Sequence, residues 1–310
     1  MARRSDLRQV RMTAATDKLP PVRCACIDIG SNTTRLLVAE ADPHRPGALR
    51  EVTVVRAFTR LGAGRSPDGA IDPAKIELTA ATVAEQAAAA RAAGADRLRC
   101  VATAAIRAAP NGPELCRAVA AAAGLDVRVL TGEEEAALAF RGAIACAPDP
   151  PPDGPVGVVD VGGGSTELVV GTVAGGVSWW VSLPGGSSSA TEAAGNGTTL
   201  REHVAALFAG VRPPRPQVAY AVGGSATSLA RLLGPELTPE VLGRGLALLE
   251  ATAPAVLAAR FDLHAERVRI LPAGLVLLDA AARALGAPLR IASGGLREGV
   301  VLTELDTVPG

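Results

Sequence analysis

The sequence predicts an α/β protein built from two similar lobes with a ligand cleft between them. Three observations carry that prediction. A strand, an aspartate, a glycine turn rich in hydroxyls and a second strand occur once as CACIDIGSNTTRLLVAE, 24–40, and again as VGVVDVGGGSTELVVG, 156–171. The predicted strands and helices after each copy follow the same order, which marks a duplicated domain. A chain of 310 residues with 48% hydrophobic content has material for two cores.

The elements follow in order. Residues 1–21 are polar and basic with no apolar stretch, and read as a disordered tail rather than a signal peptide. Cys24–Ile29 and Thr33–Glu40 pair as a hairpin about Gly30-Ser31-Asn32, and Leu49–Phe58 adds a third strand. A long helix runs from about Pro73 to Ala93, with proline at its start and Gly94 past its end. Strand Arg97–Ala102, helix Pro113–Ala123 with Gly124 as its stop, and strand Val127–Leu130 complete the order β-β-β-α-β-α-β. After the proline-rich break APDPPPDGP, 147–155, the order restarts. Val156–Val161 and Thr166–Gly171 form the second hairpin, and Val177–Leu183 a third strand. A helix over about Ser187–Ala209 and strand Gln217–Val222 come next. Helices before and after Pro239 and near Leu275–Leu285, strand Leu289–Ala292 and helix Arg297–Leu305 finish the chain. The lobes are assigned to 22–135 and 136–310, with the last helix free to pack back on the first lobe.

Composition narrows the function. Formal net charge is zero and aromatics are 2%, which argues against a nucleic-acid partner. No apolar run reaches membrane-spanning length without glycine, proline or charge, so no membrane partner is expected. Lysine occurs only at 18 and 75, and no GKS or GKT is present, so a lysine P-loop is excluded. Any phosphate site must use arginine, backbone N–H groups or a metal. Five cysteines in irregular positions read as small buried hydrophobes of a reducing, cytoplasmic protein.

The turns carry the chemistry. Three successive glycines, 162–164, let the backbone adopt positive φ and approach a ligand closely. Converging N–H groups then form an anion nest. Gly163, Gly164, Ser165 and Thr166 are candidate phosphate-binding residues, faced across the cleft by Ser31, Asn32 and Thr33. Asp160 and Glu167 would repel phosphate unless a divalent cation lies between, and Asp28 stands in the place equivalent to Asp160. These three are the candidate metal-site carboxylates. AVGGSATSLARLL, 221–233, sets Gly224 and Ser225 at a helix start, and IASGGLREGVV, 291–301, repeats the pattern.

At the lobe junction, LTGEEEAALAFRGAIA begins with Thr131 and Glu134 in a capping box. Capping and helix-dipole logic cover Glu133 and Glu134 and leave Glu135, yet the residues alone do not choose a general base among the three. Arg107 is a candidate bidentate clamp on phosphate, with Arg56, Arg60 and Arg65 as a basic track for a longer anion. His44, His203 and His264 have no metal-ligand spacing, and Trp179-Trp180 read as packing on a strand.

Taken together, IDIGSNTTRLLVAE, ATAAIRAA, TGEEEAALAFRGA, VVDVGGGSTELVVG, AVGGSATSLA and ASGGLREGVV resemble the exopolyphosphatase/guanosine pentaphosphate phosphohydrolase family, in its order, from about 24 to 305. The resemblance implies a duplicated actin-like, ribonuclease-H-like fold. It implies removal of terminal phosphate from inorganic polyphosphate, or of the 5′-terminal phosphate from guanosine pentaphosphate, with Mg2+ or alternatively Mn2+. By position it gives Glu135 the catalytic role, Asp160 and Glu167 the metal and phosphate-site carboxylates, and Asn32 and Arg107 the phosphate chain. It also suggests a homodimer. The turn reads GSNTT where GSNS is usual, and GGSATS replaces a Gly-Thr form. Longer members add a histidine-aspartate helical domain, so a preference for short polyphosphates is expected here. The rival functions are an actin-like kinase and a non-catalytic polyphosphate or nucleotide sensor.

Overall fold

The hairpin that opens each lobe is set by its buried strands. In the computed structural model, which describes residues 21–194 and 199–308, β1 (Arg23–Ile29) and β2 (Thr34–Ala41) are buried over most of their length. Burial on both faces suits strands at the centre of a covered sheet. β3 (Leu49–Ala57) pairs with β2 as an edge. The chain crosses through α1 (Pro73–Ala92) to β4 (Arg97–Ala102), parallel to β1. It continues through the short α2 (Ala104–Arg107) and α3 (Gly112–Ala123) to β5 (Val127–Val129). Asp72 caps α1 with its side chain, and Gly124 closes α3 in the left-handed conformation. The sheet order is β3-β2-β1-β4-β5.

The second lobe repeats this plan. α4 (Gly132–Ala145) leads to β6 (Val156–Val161), β7 (Thr166–Thr172) and β8 (Gly176–Leu183). Then come α5 (Ser187–Ala193), α6 (Leu200–Leu207), β9 (Val218–Val222) and α7 (Gly223–Leu233). The short β10 (Glu236–Leu237), α8 (Pro239–Ala251), α9 (Pro254–Arg260), α10 (Ala265–Leu285), β11 (Leu289–Ile291) and α11 (Leu296–Asp306) complete it. The sheet order β10-β11-β9-β6-β7-β8 is the first sheet's order with β10 added at one edge. The duplication reaches single residues. β2 slips register against β3 between Val38 and Ala39, and β7 slips against β8 between Val170 and Gly171, in each case between the fifth and sixth residues of the strand. This duplicated α/β arrangement is the actin-like fold.

Each lobe has its own core. α1 and α3 cover the first sheet through Ile76, Val83, Leu115 and Val119, and α10 runs through the second core with Leu271, Leu277 and Leu278 fully buried. α4 lies against β7 and β8, and α11 lies against α4, β1 and β2, so this helix pair stands between the sheets.

Three sequence expectations change. The helix expected over Ser187–Ala209 is two helices, because Thr199 starts α6 with a reciprocal capping box to Glu202. Part of that span, 195–198, lies outside the described residues, as does the N-terminal tail through residue 20. The helix near Leu275–Leu285 begins ten residues earlier, at Ala265, and carries Pro272 inside it. His264 caps it through a bond from the Glu266 N–H, and burial of most of its length outweighs the proline penalty. The helix expected from Ser225 starts at Gly223 instead.

Candidate active site

The cleft forms where the two glycine turns meet at the carboxyl ends of β1 and β6. Its lining includes Asp28, Ser31, Asn32, Thr33, Arg35 and Thr103 from the first lobe, and Glu135 at the hinge. The second lobe contributes Asp160, Gly162 to Ser165, Glu167, Gly223, Gly224 and Thr227, joined by Arg267, Arg297 and Glu298. The turns are in contact. A Cβ on Gly163 would lie 3.2 Å from those of Ser31 and Asn32, and a Cβ on Gly164 would overlap the Ser31 hydroxyl. None of Gly162–Gly164 has positive φ; left-handed backbone occurs instead at Gly223, φ 85°. The triple glycine therefore serves close approach between lobes rather than an unusual backbone. From behind, the N–H groups of Ser187, Ser188 and Ser189 bond to the carbonyls of Gly162 and Gly163, fixing the turn.

Strand register sets the electrostatics. Asp28 stands opposite Arg35 across β1 and β2, and Asp160 stands opposite Glu167 across β6 and β7. These pairs are equivalent in the duplication, yet one is acid–base and the other acid–acid. The second lobe is thus the carboxylate side of the cleft. Burial raises the Asp160 carboxyl to about 7, reinforced by Glu167 and Asp28. Burial likewise raises Glu135 and Glu167, each pushed further by the other acids of the cleft, and raises Asp28 against the pull of Arg297 and Arg35. The Ser182 hydroxyl donates to Glu167 at 2.8 Å and orients it.

The basic side has the opposite strain. Burial lowers Arg35 to about 9, aided by Arg297 and Arg56, and lowers Arg267 to about 10, aided by Arg56. A chamber of about 290 Å³ opens off the cleft, lined by Arg35, Arg56, Arg231, Arg267 and Arg297. Asn32 Nδ2, Arg35 Nε, Arg267 Nε and Arg297 Nη1 are buried donors without a hydrogen-bond partner, and Asp28 Oδ1 is an acceptor in the same state. Buried polar groups are nearly always satisfied, so such a set around one cleft points to a ligand that supplies the partners.

A divalent cation fits these residues. Asp28, Asp160 and Glu167 face the cleft, the free Asp28 Oδ1 accepts nothing, and mutual repulsion among the acids favours a positive charge. Among the described residues no three His, Cys, Asp or Glu side chains close into a ready-made cage.

The structure also redistributes several predicted roles. The Thr166 hydroxyl is fully buried and donates to the Gly185 carbonyl at 2.7 Å, outside the cleft. Ser225 is fully buried against Gly274 and does not line the cleft. Arg107 does not line it either, but bonds Glu135 and the Leu130 carbonyl. Of the basic track, Arg56 lines the chamber, Arg60 pairs with Glu266 of the second lobe at 3.0 Å, and Arg65 bonds main-chain carbonyls. Beside Arg60, Phe58 stacks on His264 with ring centroids 4.3 Å apart, so this rim joins the lobes. Sequence reasoning missed Arg35, Arg267 and Arg297. The scarcity of lysine, with Arg297 inside the quoted GGLREG loop, was the available signal.

Comparisons with known proteins agree with the geometry. Residues 37–242 match the model described as the Ppx/GppA phosphatase family. Exopolyphosphatase 1 of Mycobacterium tuberculosis is 30% identical over 92% of this chain and 89% of its own. A guanosine-5′-triphosphate,3′-diphosphate pyrophosphatase of Aeromonas hydrophila is 28% identical over 89% of this chain, which spans 58% of that relative's length. The crystal structure of the Aquifex aeolicus Ppx/GppA family member superposes with a TM-score of 0.76 at 27% identity, covering 94% of this chain and 100% of that one.

Proposed function

The chain belongs to the Ppx/GppA phosphatase family, and from that premise we propose that it is an exopolyphosphatase, hydrolysing terminal phosphate from short inorganic polyphosphates. The observation that carries this reading is the ring of unpartnered buried donors, Asn32, Arg35, Arg267 and Arg297, which continues from the glycine turns into the arginine chamber. One terminal phosphate needs only the turns. A run of arginines beyond them suits an anion with charge repeated along its length. Among the described residues, the ring-bearing residue that lines the chamber, His264, is stacked on Phe58 and so engaged away from a base.

In this mechanism the terminal phosphoryl sits against the N–H groups and hydroxyls of Ser31, Asn32, Thr33, Gly163, Gly164 and Ser165. Arg35, Arg267 and Arg297 hold the phosphates behind it. Glu135 takes a proton from water as the water oxygen bonds to phosphorus and the bridging P–O bond breaks in line. The shortened chain leaves with the bridging oxygen. Asp160 and Glu167, with Asp28 across the cleft, would hold magnesium, which neutralises charge on the phosphoryl oxygens when bound.

The test is phosphate release from polyphosphates of graded length and from guanosine pentaphosphate, each with Mg2+ and with chelator. The proposal expects higher kcat/KM on short polyphosphate than on either very long chains or the nucleotide. A nucleotide preference would transfer the reading to guanosine pentaphosphate hydrolysis, and tight binding without release would support a sensor.

A further inference from the structure

Arg107 ends α2 in the first lobe, and its guanidinium reaches the hinge. One nitrogen, Nη1, donates to Glu135 Oε2 at 2.5 Å and to the Leu130 carbonyl at 2.5 Å. Leu130 is almost fully buried just after β5 and its N–H is bonded to Ala102, so that carbonyl is a fixed point of the first lobe. Glu135 lies in the first turn of α4, which packs on the second lobe's strands. Arg107 thus ties the buried glutamate to a rigid backbone atom and leaves Oε1 as the oxygen available to the cleft. Thr103, at the head of α2, lines the cleft and Arg107 does not. The Arg107 side chain is 32% exposed, and the Glu135 carboxylate it holds is 6% exposed.

From this geometry we propose that Arg107 is a positioning residue, which fixes the Glu135 carboxylate toward the attacking water and acts through it rather than as a clamp on the phosphate chain. The inference rests on the hydrolytic role given to Glu135. An anchored carboxylate presents one oxygen in one direction, and a free one divides its time among rotamers, several of them unproductive. Asp28 and Asp160 also repel the Glu135 charge, and Arg107 opposes them at close range.

A double-mutant set tests the inference on the full chain with Mg2+ and a short polyphosphate: Arg107→Met, Glu135→Gln and both together. Arg107→Met is expected to lower kcat by ~10- to 100-fold, the range seen when an orienting partner is removed, with KM within about twofold of wild type. Added to Glu135→Gln it is expected to cost nothing further in kcat, and polyphosphate Kd is expected to be the same for Glu135→Gln and the double variant. A tenfold rise in KM or Kd, or losses that multiply across the two positions, would overturn positioning in favour of direct phosphate binding. Should Arg107→Met fail to fold, Arg107→Lys enters the same cycle. If the wild-type protein binds polyphosphate but releases no phosphate, the hydrolytic reading fails separately. The pairing is then judged by melting temperature, where additive shifts for the two substitutions would overturn it.

Discussion

Glu135 shows what a residue's neighbours decide. Of three adjacent glutamates, Glu134 closes the capping box with Thr131 and pairs with Arg128, and Glu133 is exposed. Glu135 shares the buried face of α4 with Ala136, Ala139 and Gly142. That face was legible from helical period alone, since 135, 139 and 142 fall in one stripe. Capping logic did not use it. Replacing Glu135 by Gln should lower kcat by about 10²- to 10⁴-fold while polyphosphate binding persists, measured by phosphate release and a parallel binding assay. Arg297→Met should act differently, raising KM for polyphosphate by ~10- to 100-fold through loss of a buried charge-assisted hydrogen bond. An unchanged KM would remove Arg297 from the substrate path. At Thr166 the sequence is ambiguous, because a hydroxyl in a turn offers the same letter whether it faces a ligand or, as here, a backbone carbonyl.

At the scale of elements, the crossing of α4 and α11 holds the hinge. A Cβ on Gly142 would overlap the Gly295 carbonyl, and one on Gly299 would overlap the Leu138 carbonyl, so the two helices touch backbone to backbone. Gly299→Val should cost about 1–3 kcal/mol by overpacking and lower the melting temperature. A melt identical to wild type would mean that the crossing tolerates separation. The hairpins, the paired glycine turns and most helix ends were legible, because alternation, proline starts and glycine stops are local signals. The continuous α10 was not, since the proline in its middle is tolerated only through burial supplied by the rest of the lobe.

For the whole molecule, the equivalent register slips and sheet orders explain why duplication was visible in the sequence, and the Asp28–Arg35 and Asp160–Glu167 pairs show where the copies diverged. The arginine chamber was not legible. Its residues come from β2, β3, α7, α10 and α11, and no local pattern links positions 35, 56, 231, 267 and 297. The carboxylates make a prediction about stability. Their folded pKa values are raised, with Asp160 moved to about 7 from 3.8. The folded state therefore binds more protons than the unfolded state between those values, and stability falls as pH rises through that window. Metal-free protein should melt at lower temperature at pH 8 than at pH 5. Mg2+ should restore more at pH 8, where the acids are ionised, through preferential binding to the folded state. Equal melting temperatures at both pH values without metal would contradict the raised acids.

In the proposed reaction a terminal phosphate is held between two turns and attacked by water that Glu135 deprotonates. Its most direct test is single-turnover phosphate release from an end-labelled short polyphosphate, comparing the wild-type protein with Glu135→Gln in Mg2+. Labelled orthophosphate is expected as the first product of the wild-type protein, and bound but intact polyphosphate in the variant. Label appearing first in shorter internal fragments, or equal release by both proteins, would contradict it.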